Sequence, residues 1–120
     1  MMIKGEYIYF FVDVNNLRKY IDYLLLEGEL EELTLFSSRI RAGIDAIVQS
    51  AVSELNAEVI FYGGDDVFFR VNRPVEADSV TWKYQKMFFG LTGVHISFGA
   101  GADVESCLID LKRRKALSKA

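Results

Sequence analysis

The four residues Gly63-Gly64-Asp65-Asp66 limit the fold of this chain more than any other feature, because a short apolar run lies on each side of them. Glu58–Tyr62 (EVIFY) and residues 67–71 (VFFRV) have the β-branched and aromatic content of strands. Two strands joined by so short a connection predict a tight antiparallel hairpin, with the glycines where positive φ or close approach is needed. Two acidic residues then lie at the end of this hairpin.

Apolar spacing in the rest of the chain predicts two more strands and four helices. In chain order we expect a strand at 6–12, a helix from Asn15 or Asn16 to about Gly28, a helix from about 29–34 to 55, the hairpin, a helix from Glu76 or Asp78 to about Phe89, a strand at 94–98, a turn at 99–101 and a helix at 103–118. The order βααββαβα predicts an α+β, ferredoxin-like palm fold whose antiparallel sheet carries the helices on one face. With 120 residues, of which 51% are hydrophobic, one domain spanning 1–120 is expected.

Charge and cysteine content exclude several classes of protein. The net charge of −3 argues against binding to long nucleic acid, for which a basic face normally supplies the affinity. The single cysteine, Cys107, excludes an internal disulfide and a cysteine metal cage, and it fits a reducing compartment. The apolar runs are too short to span a bilayer. We therefore expect a cytoplasmic protein that does not bind membranes by itself.

The predicted order of strands brings three carboxylates together as candidate metal ligands. Asp13 is predicted at the end of the first strand, and Asp65 and Asp66 at the hairpin, which can neighbour that strand in a ferredoxin-like sheet. One aspartate at a strand end or turn is ordinary, but a second one entering an apolar strand needs a compensating reason. Mg²⁺ or Mn²⁺ would relieve the repulsion and leave positions open for a triphosphate. Two such ions about 3.5–4 Å apart can activate a hydroxyl and stabilise a leaving oxygen.

Two motifs carry a resemblance to a known family. The run Phe11-Val12-Asp13-Val14-Asn15-Asn16-Leu17-Arg18 resembles the first metal motif of the GGDEF and CRISPR polymerase palms, and Gly63-Gly64-Asp65-Asp66 resembles their second motif in its GGDD form. Over nearly its whole length the chain most closely resembles the minimal CRISPR polymerase family. The resemblance implies phosphodiester formation from nucleoside triphosphates with release of pyrophosphate. It also implies a place in antiphage defence, where a cyclic oligonucleotide controls an effector.

The same resemblance implies the roles of individual residues. Asp13 corresponds to the first metal ligand, with the Val14 carbonyl as a helper, and Asp65 corresponds to the second. Asp66 would be a further ligand, or the group that orients or deprotonates the attacking sugar hydroxyl. Nucleotide contacts are expected from the start of the first helix, the hairpin glycines and the last helix, at Asn15, Asn16, Leu17, Gly63, Gly64, Lys112 and Lys115. Of the two lysines, Lys112 falls where the families keep a phosphate-binding lysine.

The expected preference for one base follows from a difference between this chain and the diguanylate cyclases. Diguanylate cyclases carry an Asn-Asp pair that reads guanine where this chain has Ile21-Asp22, and residues 54–57 lack their inhibitory Arg-x-x-Asp motif. The sequence therefore predicts a metal-dependent nucleotidyl cyclase that condenses nucleoside triphosphates, with ATP preferred, into a cyclic di- or oligonucleotide. A diguanylate cyclase and a catalytically silent nucleotide-binding regulatory domain remain alternatives.

Ring closure also suggests an assembly. One palm holds one triphosphate, and each hydroxyl must meet another α-phosphate before a ring can close. Two sites that face each other across a two-fold axis satisfy this requirement, because the same surface then serves both partners. We therefore expect a homodimer or a higher homo-oligomer.

Overall fold

Eight elements make up residues 6–118, the part of the chain that the computed structural model describes. They are β1 (Tyr7–Val14), α1 (Leu17–Leu26), α2 (Leu30–Leu55), β2 (Glu58–Tyr62), β3 (Asp66–Asn72), α3 (Ala77–Thr92), β4 (Ile96–Gly101) and α4 (Val104–Ser118). The predicted α+β class and the order βααββαβα are confirmed. The outermost residues of the predicted 1–120 domain lie outside the described range.

The four strands form one antiparallel sheet in the order β2-β3-β1-β4. β1 is central and pairs with β3 on one side, where Phe10 lies opposite Phe69, and with β4 on the other, where Val12 lies opposite Phe98. This is a ferredoxin-like arrangement with one additional helix between the first two strands. Because β1 lies between β3 and β4, the end of β1 is placed beside the hairpin that joins β2 to β3.

One face of the sheet packs against α2 and α3 to form the hydrophobic core. Phe10, Phe69 and Phe98 are fully buried there, together with Ile44 of α2 and Phe88 of α3. The two helices approach closely at Gly43, where a Cβ would lie 2.6 Å from Cε1 of Phe88. Within the described residues no helix is long and apolar enough to cross a membrane.

The last helix lies on the opposite face of the sheet, so the expectation that all helices share one face is wrong for α4. Side chains alternate along a strand, and Gly99 follows the core residue Phe98, so it faces away from α2 and α3. A Cβ at Gly99 would lie 2.6 Å from Cβ of Leu111 in α4. The thiol of Cys107 is buried at this contact and donates to the Gly99 carbonyl at 3.4 Å. Burial raises the pKa of that thiol to about 12.

The glycine-rich segment 99–101 is therefore strand and not the predicted turn. Glycines weaken a strand, so their presence in the sequence predicted that the strand ends before residue 99. Here the missing side chains let α4 approach the sheet backbone, and this packing keeps the segment extended. β1 also differs from the prediction. It was expected to end at residue 12, but it continues through Asp13 to Val14.

Candidate active site

Asp13 and Asp66 lie directly opposite each other at one end of the central pair of strands. Their neighbours Val12 and Val67 are fully buried in the core, so both aspartates project from the opposite face. Cross-strand partners have Cβ atoms about 4.5–5.5 Å apart, close enough for their charges to interact strongly. The pKa of Asp66 is raised, first by partial burial and then by the charges of Asp65 and Asp13.

The hairpin fixes this end of the sheet through backbone hydrogen bonds. Gly63 N–H donates to the Asp66 carbonyl at 2.9 Å, and Val14 N–H donates to the Asp65 carbonyl at 3.0 Å. Neither hairpin glycine has the expected positive φ, since Gly28 and Gly93 are the glycines with left-handed backbone among the described residues. Close approach does apply at Gly63, where a Cβ would lie 3.2 Å from Oδ1 of Asp66, while Gly64 faces open space.

A pocket of about 400 Å³ opens between α1, α2 and the hairpin. Its walls are mainly apolar, and its lining residues are Leu17, Ile21, Leu33, Phe36, Ser37, Ile40, Arg41, Gly64 and Asp65. The α2 residues of this lining were not predicted as site residues. The helical apolar spacing of α2 was visible in the sequence, but nothing in it distinguished a pocket wall from core.

Hydrogen bonds connect the residue before the N-cap of α1 to the beginning of β4. Asn15 N–H donates to the His95 carbonyl at 3.0 Å, and the Ser97 hydroxyl donates to Oδ1 of Asn15 at 2.7 Å. Asn16 is the N-cap, as predicted for one of the two asparagines, but it has a left-handed φ of 57° and makes no side-chain cap hydrogen bond. These contacts hold the start of α1, whose first residue Leu17 lines the pocket.

Lys115 brings a positive charge to the carboxylates from α4. Its ammonium donates to Oδ2 of Asp13 in a partly buried ion pair. Lys112 lies about one helical turn earlier, is exposed, and forms no ion pair with any residue of the described range. The structure therefore brings together Asp13, Asp66 and Lys115, with Asp65 beside them at the pocket, and leaves Lys112 in solvent.

Comparison with known families agrees with this geometry. The model of mCpol, the minimal CRISPR polymerase domain, matches residues 9–120. The chain belongs to this family. No curated protein matches it significantly. As an mCpol domain it is a nucleotidyltransferase-like palm, and the resemblance seen in the two sequence motifs is confirmed.

Polymerase-like palms such as mCpol generally depend on divalent metal ions, and the donor set here suits one. Asp13 and Asp66 offer adjacent carboxylates, which are the hard oxygen ligands that Mg²⁺ and Mn²⁺ take. Asp13 already binds a cation, the ammonium of Lys115. Within residues 6–118 no three acidic, histidine or cysteine side chains converge closely enough to enclose an ion as they lie. The residues therefore fit a metal held by the Asp13–Asp66 pair, with Asp65 within electrostatic reach.

Proposed function

We propose that this mCpol domain is a metal-dependent nucleotidyl cyclase, which joins nucleoside triphosphates into a cyclic di- or oligonucleotide and releases pyrophosphate. The observation that carries the proposal is the cross-strand pair Asp13–Asp66 at the end of the sheet, beside the pocket that begins at Gly64 and Asp65. Membership of the mCpol family supports the chemistry and extends the proposal to a role in antiphage defence.

The pocket suits the base of the substrate. Its volume lies in the range of small-molecule sites, and the apolar walls from Leu17, Ile21 and Phe36 match the faces of a purine. Ile21 offers no hydrogen bond, and Asp22 is paired with Arg18 at 3.1 Å. The side chain at position 21 therefore cannot make the hydrogen bond that the asparagine of diguanylate cyclases makes to guanine, which supports ATP as the preferred substrate.

The residues around the pocket would bind the triphosphate and the metal ion. With the base between α1 and α2, the triphosphate extends past the N-terminus of α1, whose free N–H groups favour phosphate oxygens. Asp13 and Asp66 would hold Mg²⁺ or Mn²⁺, which when bound lowers the pKa of the attacking hydroxyl and stabilises charge on the phosphate. Asp66 would orient that sugar hydroxyl. Lys115 supplies positive charge beside Asp13, where it would neutralise phosphate oxygens of the bound triphosphate.

The decisive experiment measures pyrophosphate release by purified protein with each of the four triphosphates and Mg²⁺ or Mn²⁺, and identifies the products by mass spectrometry. ATP should give a cyclic product. Asp13→Asn and Asp66→Asn should each lower the rate by about a hundredfold or more, because metal-assisted stabilisation is worth several kcal/mol. Asp45→Asn, on the exposed side of α2, removes the same charge away from the site and should keep wild-type activity.

The alternatives predict other results. Wild-type rates in both Asp13→Asn and Asp66→Asn would refute the assigned site. Product from GTP alone would favour a diguanylate cyclase. Triphosphate binding without pyrophosphate release, in protein with intact carboxylates, would favour a nucleotide-binding regulatory domain.

A further inference from the structure

Five aromatic side chains cluster on the face of the sheet that carries the carboxylates. Tyr7, Tyr9 and Phe11 alternate along β1 on the same side as Asp13, Phe68 of β3 lies opposite Phe11, and Phe61 of β2 lies opposite Phe68. The ring centroids of Phe68 lie 5.5 Å from Phe11, 5.6 Å from Phe61 and 6.0 Å from Tyr9. We refer to these five residues as the aromatic platform.

The platform is not needed to complete the hydrophobic core, because the core lies on the other face of the sheet. On this side α4 lies over β4 and β1, and within residues 6–118 no element covers β2 and β3. Phe68 is shielded by the rings around it and is 7% exposed, whereas Phe61 at its outer edge is 45% exposed. Aromatic rings gathered at a solvent-facing surface mark a binding site more often than a structural need.

We infer that the aromatic platform binds the bases of a short single-stranded oligonucleotide, the linear intermediate formed at the carboxylates. The inference rests on the proposed function for the identity of this ligand. Asp13, Phe11, Tyr9 and Tyr7 project from one face at steps of about 6.8 Å, so the platform continues directly from the reacting end of the sheet. Aromatic side chains on adjacent strands of an open sheet stack two or three bases in other single-strand binders.

The charges around the platform indicate stacking and not phosphate binding. The guanidinium of Arg70 lies 4.1 Å above the Tyr7 ring and is paired with Glu58 at 2.7 Å. Its charge is therefore largely balanced, while its planar face extends the stacking surface. A platform of this kind holds a few bases and gives little affinity for a long polyanion. The salt dependence of binding should accordingly be shallow.

The test is fluorescence anisotropy with a labelled linear tri-adenylate, measured in EDTA so that no turnover occurs. Phe61→Ala should weaken binding about fivefold or more, since one base–ring stack contributes that much. Phe61→Leu, which keeps an apolar contact with Phe68, should show a similar loss. Tyr62→Ala is the matched control, because Tyr62 is 55% exposed on the adjacent position but pairs with the core residue Val67. It should bind like the wild type.

Several outcomes would overturn the inference. They are no binding by the wild type, an equal loss in Tyr62→Ala, a steep salt dependence, or a fall in molecular mass of Phe61→Ala that would make the platform a contact between copies of the chain. None of these affects the pyrophosphate assay, so the proposed cyclase activity stands or falls separately.

Discussion

Asp13 is the residue at which three parts of the chain meet, with Asp66 opposite it on β3, Ser97 opposite it on β4 and Lys115 reaching it from α4. The pKa of Asp66 is raised, first by its partial burial at this end of the sheet and then by the charges of Asp65 and Asp13. Because its folded-state pKa lies above the unfolded value, folding favours the protonated form, and stability is lost as the pH rises past the usual carboxyl range. An added positive charge near the pair reverses this loss.

The two lysines of α4 give the prediction at this scale. The sequence favoured Lys112 as the phosphate-binding residue, whereas the structure favours Lys115, which lies against Asp13. Lys115→Ala should weaken binding of a non-hydrolysable ATP analogue about tenfold or more, as expected for a lost charge-assisted hydrogen bond. Lys112→Ala should have a smaller effect. Titration calorimetry on both variants in Mg²⁺ makes the comparison.

A control separates phosphate binding from metal binding in these variants. Without nucleotide, Mn²⁺ should bind Lys115→Ala at least as tightly as the wild type, because the Asp13 carboxylate is freed from its ion pair. A larger loss of analogue affinity in Lys112→Ala than in Lys115→Ala would restore the order that the sequence suggested.

At the scale of secondary-structure elements, the packing of α4 against β4 determines the position of Lys115. Gly99→Ala adds a methyl group that would lie 2.6 Å from Cβ of Leu111 and 2.7 Å from its backbone nitrogen, so α4 has to move away from the sheet to make room. We expect a loss of about 1–3 kcal/mol in the free energy of unfolding, measured by urea denaturation. Gly90→Ala, in α3 with nothing within 4 Å, should instead gain about 0.5–1 kcal/mol.

The activity of Gly99→Ala extends this prediction. Displacing α4 also displaces Lys115, so triphosphate binding should weaken although Gly99 itself does not touch the site. If Gly99→Ala proved as stable as Gly90→Ala, the close packing of α4 on β4 would be contradicted.

Local pattern explains what the sequence could predict about these elements. The hairpin, the class and the element order follow from apolar runs and from Gly63-Gly64-Asp65-Asp66, and the structure confirms them. The side of the sheet on which α4 packs could not be predicted in this way. It depends on the contact between Gly99 and Leu111, which are distant in sequence and do not appear in any local pattern. The pocket was missed for a similar reason, since Leu33 and Phe36 read as ordinary apolar helix positions.

At the scale of the whole molecule, α1 and the start of α2 form an exposed apolar surface. α1 contributes no buried residue, and the exposed apolar side chains of this region are Tyr20, Tyr23, Leu25, Leu26, Leu30 and Leu35. Apolar patches of this kind favour association between chains. We propose that this surface forms the contact of the homodimer expected from ring closure, close to the pocket between α1 and α2.

We predict that light scattering after size exclusion gives a mass near twice the 13.6 kDa of one chain at micromolar concentration. Leu26→Glu should give the monomer, because Leu26 is 87% exposed and its replacement leaves the fold intact. Leu117→Glu places the same charge on α4 at a residue that is 71% exposed and should remain a dimer. A monomeric wild type, with ATP and Mg²⁺ present, would contradict the assembly.

The central place of β1 in the sheet has a consequence for biosynthesis. β1 is made before the other three strands of the sheet, and its partner β4 begins at Ile96, 82 residues after Val14. At about 5–20 residues per second the ribosome needs roughly 4–16 s to supply that partner. During this interval an aromatic strand has at least one open edge, which is a hazard for aggregation. The rate of translation, and chaperones near the ribosome, should therefore influence how much of this protein a cell obtains in folded form.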